Sequence, residues 1–247
     1  MTVAGFSLAE LRAAYAALQE GTFSTGSEPA AIIPADRAAT STLRPAVLGV
    51  VGVAGGVGAT VVALAVAEAL GASRLVEFSA PGLSGLAAAS SAELGTRQGW
   101  IIGSRGGLQL QRRANQDAVM LAPSEADGLT VMDLGLWPED LAGTEVGVLV
   151  AVAACSVPSV RRLEARLDQL QSSIEVVPVI TTVAGRSLPK PVGGVLGPSL
   201  RRAAAAGRLV LVPECSGLRV GGVTAGPLPG RLQSAVGVIA SCVKELS

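Results

Sequence analysis

From Ala46 to Ala67 the chain runs for 22 residues without a charged side chain, and glycines divide that run in two. A charge-free stretch of this length is long enough to cross a bilayer. Its internal order argues against that. Val47–Val53 is a short β-branched run, Gly49, Gly52, Gly55, Gly56 and Gly58 crowd the first half, and the second half is rich in alanine. A Val-rich segment, a glycine turn and an Ala-rich segment read as strand, loop and helix. No integral membrane span is expected.

The same alternation continues downstream. Apolar runs at Arg74–Phe78, Leu129–Asp133, Val146–Ala153, Val176–Thr182 and Leu209–Val212 read as further strands. Segments Gly58–Leu70, Pro158–Gln171, Pro198–Gly207 and Pro229–Leu246 read as helices. Short, continuously apolar strands separated by helices predict an α/β domain whose mostly parallel sheet is covered on both faces. Between Phe78 and Leu129 the pattern assigns no element. The expected domain spans 46–247. Ahead of it, Ser7-Leu-Ala-Glu10 is a capping-box pattern opening a short helix, with Leu8, Leu11, Tyr15 and Leu18 on one face. The Ser-, Thr-, Ala- and Pro-rich residues from Gly21 to Pro45 read as a linker, so 1–45 is expected to be a helix and flexible tether.

Composition narrows the chemistry. There is no histidine in the 247 residues, which removes imidazole acid–base catalysis, Ser/His/Asp and Cys/His nucleophilic systems, and histidine metal sites. Cys155, Cys215 and Cys242 are far apart and odd in number, so neither a zinc site nor a disulfide framework is indicated and a reducing cytoplasmic setting is expected. Glu10 and Arg12 fall where a signal peptide needs apolar residues. Aromatics are only 2%, so the core must be aliphatic.

The loop Gly52-Val-Ala-Gly-Gly-Val-Gly-Ala-Thr60 has the character of a phosphate cradle. Glycines let backbone N–H groups curl around an anion at a helix N-terminus, and a threonine follows where a Mg²⁺ ligand is needed. With a strand before it and a helix after it, the segment resembles the deviant Walker A loop of the ParA/MinD family of P-loop ATPases, written KGGxGKT. Gly55, Gly56, Gly58 and Thr60 match that pattern. Ala54 replaces the signature lysine and Ala59 replaces the phosphate lysine. Each lost lysine removes charge-assisted contacts of about 1.5–3 kcal/mol, which together weaken triphosphate binding by roughly 100-fold or more.

The resemblance covers most of 46–247. It implies a three-layer P-loop fold, with Gly52, Gly55, Gly56, Val57, Gly58, Ala59 and Thr60 forming the nucleotide cradle. It also implies that Thr60 and Asp133 would hold Mg²⁺ once nucleotide binds, Asp133 closing a Walker B-like strand, with Glu77 as a further acid. Ser79 replaces the family's second acid after that strand. Ser156-Val-Pro-Ser-Val-Arg161 resembles a helix start in MinD-like proteins, and Pro213-Glu-Cys-Ser-Gly-Leu-Arg219 falls where the family closes over the base.

Net charge is zero, yet Arg186, Lys190, Arg201, Arg202, Arg208, Arg219 and Arg231 face only Glu214 between Val176 and Ser234. Such an excess marks either a solvated surface or a face for DNA backbones or an acidic partner, and the resemblance to ParA favours the second reading modestly. Arg105, Arg112 and Arg113 form a second, weaker cluster. Leu232, Val236, Ile239 and Val243 form one stripe on the last helix, read as core packing because its polar side has too few cations for lipid. The sequence therefore points to a degenerate, non-catalytic ParA/MinD-like positioning or partner-binding module that binds ATP and Mg²⁺ weakly at most. Its setting, the resemblance implies, is partitioning, conjugation, septum placement, or secretion or pilus assembly. Its expected partner is a protein, with non-specific DNA and a constitutive homodimer as further candidates. The alternative is a weak ATPase completed by a partner or by non-standard residues.

Overall fold

The computed structural model describes residues 47–80, 83–115, 128–138, 146–170, 174–185 and 187–246. The expected helix at Ser7 and the linker after it lie outside them. Strand β1 (Val47–Gly52) is buried along its whole length. Its side chains alternate between two cores: Leu48 and Val50 face one, Val47 and Val51 the other. That alternation is the pleat of a strand covered on both sides, and it explains why the segment is apolar at every position.

Helix α1 (Ala59–Leu70) leaves the loop and buries Val62, Ala63, Leu64, Val66 and Ala67 completely. Strand β2 (Arg74–Glu77) follows, then β3 (Ala92–Arg97), β4 (Trp100–Arg105) and β5 (Leu108–Arg113). The chain continues with β6 (Thr130–Leu136), β7 (Val148–Ala154), α2 (Val157–Gln169) and β8 (Glu175–Val183). It ends with α3 (Lys190–Gly193), α4 (Pro198–Ala205), β9 (Val210–Pro213), α5 (Ser216–Gly221) and α6 (Gly230–Leu246). The nine strands form one sheet in the order β3-β4-β5-β2-β6-β1-β7-β8-β9. All neighbours from β5 to β9 are parallel, and the β3–β4 and β4–β5 pairs are antiparallel.

Helices α1 and α6 cover one face. The stripe Leu232, Val236, Ile239 and Val243 is buried there against Leu64 and Val66. On the other face α2 and α4 contribute Val160, Leu163 and Leu200. The architecture is a three-layer α/β sandwich, as expected. Among the described residues no helix is long and apolar enough to cross a membrane.

The departure from the sequence reading is the β3–β4–β5 meander. β3 is exposed at every residue, so it shows no buried face to read. Arg105 and Arg112 are buried instead of solvated, at 7% exposure each. Arg105 pairs with Glu68 of α1 and donates to the carbonyls of Ala89, Thr224 and Gly226. Arg112 pairs with Glu93 across the meander, and Arg113 lies over the Phe78 ring at 5.4 Å. The weaker basic cluster is thus internal cross-bracing.

Candidate functional site

The loop after β1 forms because its backbone can go where few residues can. Gly56 and Gly58 sit at φ 73° and 89°, the left-handed region that glycine enters without strain. A Cβ on Gly52 would lie 2.8 Å from a Val57 methyl, so the loop closes tightly over the strand end. Val57 and Ala59 point inward and are buried, whereas Gly55 and Gly56 are exposed. Two strands along the sheet from β1, the Thr181 hydroxyl of β8 donates to the Val57 carbonyl at 2.6 Å and lies 3.3 Å from the Ala153 carbonyl. This tie joins positions 124 residues apart, so no local sequence signal announces it.

Parallel strands place Glu77 and Asp133 side by side, with Arg112 on the other flank of Glu77. Asp133 is fully buried. Its Oδ1 accepts from the Gly135 N–H at 3.0 Å, and its Oδ2 has no hydrogen-bond partner among the described residues. Burial raises the Asp133 pKa above its ordinary value, opposed by the nearby Thr60 hydroxyl and the Gly135 N–H. Glu77 is likewise raised by burial, opposed by Ser84 and Gly85 and reinforced by Asp133. Its carboxylate accepts from the Ser84 hydroxyl and from the Gly85 N–H at 2.8 Å. A Cβ on Gly85 would in turn lie 2.9 Å from the Thr60 methyl, so the turn held by Glu77 packs against Thr60.

A cavity of about 700 Å³ opens above the loop. Gly55, Gly56, Val57, Gly58, Ala59 and Thr60 line it, together with Ala54 and Ser79; Gly52, Glu77 and Asp133 lie behind its wall. The remaining lining includes Val61, Leu83, Leu134, Leu136, Val212 and Leu218. Among the described lining residues the one cation is Arg219, whose Nε lies 3.3 Å from the Glu214 carboxylate in the same wall.

This arrangement fits part of a nucleotide. Thr60 and the Asp133 Oδ2, which has no hydrogen-bond partner among the described residues, would be the donors to a hard cation. Charge neutralisation for three phosphates is another matter, because positions 54 and 59 offer methyl groups and Arg219 is already paired. Among the described residues there is no cluster of three His, Cys, Asp or Glu side chains able to hold a metal alone.

The basic residues do not gather at one place. Arg202 and Arg208 line a second cavity of about 590 Å³ with Asp168 and Glu175, at the start of β8, whereas Thr181 and the loop cavity are near its end. Arg208 pairs with Glu175 at 3.4 Å. Lys190, Arg201 and Arg231 are exposed, and Arg186 lies outside the described residues.

No protein-family model matches the sequence, and no curated protein does. Solved structures match the fold over most of the chain. Apo McdA from Cyanthece superposes with a TM-score of 0.56 at 15% identity, covering 82% of this chain and 99% of that one. A ParA family ATPase from Chlorobium tepidum gives 0.53 at 15% identity, over 80% and 98% of the two chains. The MinC:MinD cell division complex from Aquifex aeolicus gives 0.53 at 15% identity, over 82% and 96%. The chain has the fold of the ParA and MinD P-loop ATPases.

Proposed function

We propose that this chain is a non-catalytic, ParA/MinD-like module that works by binding a protein partner, in partitioning, positioning or assembly of a larger machine. The observation that carries the reading is the chemistry of the loop: the fold and glycines of a phosphate cradle, with Ala54 and Ala59 where the charge should be. Phosphoryl transfer depends on cations that stabilise charge spread over the transferred group, and the transition state needs them more than the ground state does. A loop stripped of both lysines retains the shape for docking and loses the means for turnover. One of the similar structures is a MinC:MinD complex, which supports a protein partner as the thing bound.

Any dimer of such a chain is constitutive. A ligand shifts an equilibrium only by its differential affinity for the two states, and here little triphosphate is bound to either. Sedimentation with and without millimolar ATP and Mg²⁺ tests this. The expected result is one mass under both conditions. A clear rise in mass on adding nucleotide overturns the reading and favours a weak ATPase completed by another group.

A further inference from the structure

We propose that the cavity above the glycine loop binds an uncharged, largely apolar small molecule, gripped by aliphatic side chains and oriented by backbone N–H groups of the loop. The reading above concerns what the site lacks for ATP; this one concerns what the site is built to hold, and it is tested without nucleotide.

Size comes first. About 700 Å³ lies within the range of roughly 300–1,000 Å³ usual for small-molecule sites. The wall is dominated by aliphatic groups from five places: Val61 of α1, Leu83, Leu136 of β6, Val212 of β9 and Leu218 of α5. Two of these are left in water, Leu83 at 76% and Leu136 at 61% exposure, out of the five large apolar side chains so exposed among the described residues. Val220, 85% exposed, is next in sequence to the lining residue Arg219. Large apolar side chains gathered around a concave apolar site are what a ligand covers.

Polarity then selects the class of ligand. The Thr181 hydroxyl is engaged with the Val57 carbonyl, and Arg219 is paired with Glu214. Helix α1 starts at Ala59 with no side-chain cap, which leaves its first N–H groups without an intrahelical acceptor and suited to a carbonyl or ring nitrogen. A neutral acceptor takes such a bond without the desolvation that an unpaired anion would suffer beside Glu214. An anion here gains only the fractional positive charge of a helix start.

The experiment is a fluorescence titration of the full chain with two probes sharing one body: neutral N-phenylnaphthylamine and its charged relative anilinonaphthalene sulfonate. The expected result is one neutral probe per chain, bound at least about tenfold more tightly than the sulfonate. Leu83→Asp and Leu136→Asp change exposed residues and fold normally; each weakens the neutral probe by about fivefold or more. Val238→Asp, on an exposed position of α6 outside the cavity, leaves it unchanged. Cys215 is a lining residue and Cys155 is not, so peptide-resolved alkylation of Cys215 slows with bound neutral probe, and that of Cys155 does not. Ala59→Lys narrows or reverses the preference between the two probes. Absence of saturable one-to-one binding overturns the proposal, and would be the outcome if the apolar rim serves a protein surface instead. Equal affinity for the two probes, or neutral-probe binding unaffected by both leucine substitutions, overturns it as well.

Discussion

At position 59 the chain carries a methyl where the loop it resembles carries a lysine. Ala59 opens the first turn of α1, buried at the edge of the cavity, so a lysine there would have to extend its ammonium into the cavity. Behind it, two buried carboxyls sit without that counter-charge. Both Asp133 and Glu77 have folded-state pKa values raised by burial. The sign follows from linkage: an acid that binds its proton more tightly when folded adds stability at low pH, and that contribution is lost as pH rises through the folded pKa. The ordinary carboxylate value is about 4, so the loss begins there and is complete above the raised value. Asp133→Asn removes one such group while retaining an acceptor for the Gly135 N–H. Relative to wild type, this variant should therefore gain in urea midpoint as pH is raised from the ordinary carboxylate range to neutrality. A difference between the two proteins that stays flat with pH would show that the Asp133 proton is not linked to folding. Added Mg²⁺ should reduce the difference if Thr60 and Asp133 form the donor set.

Between elements, the tie that matters most is Arg105. It leaves β4, pairs with Glu68 on α1, and supplies the loop at Thr224 and Gly226 with hydrogen-bond donors. Removing it leaves the partly exposed Glu68 carboxylate and the carbonyls of Ala89, Thr224 and Gly226 without their donor. Arg105→Met is expected to cost about 1–3 kcal/mol, read as a fall in urea midpoint. Arg208→Ala, at the half-exposed pair with Glu175, is expected to cost under about 1 kcal/mol. Similar losses for the two variants would contradict the bracing role. Arg105 also marks where pattern reading fails. Strands β1, β2 and β6 to β9, and helices α1, α2, α4 and α6, follow from apolar runs and periodicity, because the core itself imposes those patterns. The meander does not, since β3 has no buried side and β5 buries Gln111, which donates to Gln109 of its own strand, and Arg112, whose partner Glu93 comes from β3. Its trace in the sequence is turn chemistry: Gln98-Gly99, at φ 50° and 84°, and Gly106-Gly107 are two-residue hairpin signals. The site divides likewise. The loop glycines and Asp133 are legible from local order, whereas the Thr181 tie depends on strand order and the Glu77 turn with Ser84 and Gly85 carries no periodic pattern.

Across the whole molecule, a parallel sheet gathers the loop, Asp133, Thr181 and the start of α5 at one end, and leaves Arg202 and Arg208 near the other. Net charge is zero, so any DNA binding would rest on the local excess of Arg and Lys between Arg186 and Arg231. DNA binding is therefore expected only at low salt, without sequence preference, and to disappear near physiological ionic strength. Gel shifts across a salt series test this, and Arg201→Glu with Arg202→Glu should abolish the low-salt signal; an undiminished shift would exclude that surface. The central claim is that the nucleotide-binding architecture persists without the charge that makes it an ATPase, and direct titration of ATP with Mg²⁺ into the isolated chain tests it most directly. The account predicts an affinity weaker than about 100 μM, recovered in part by Ala59→Lys and further by Ala54→Lys with Ala59→Lys. Low-micromolar binding by the unaltered chain would contradict it.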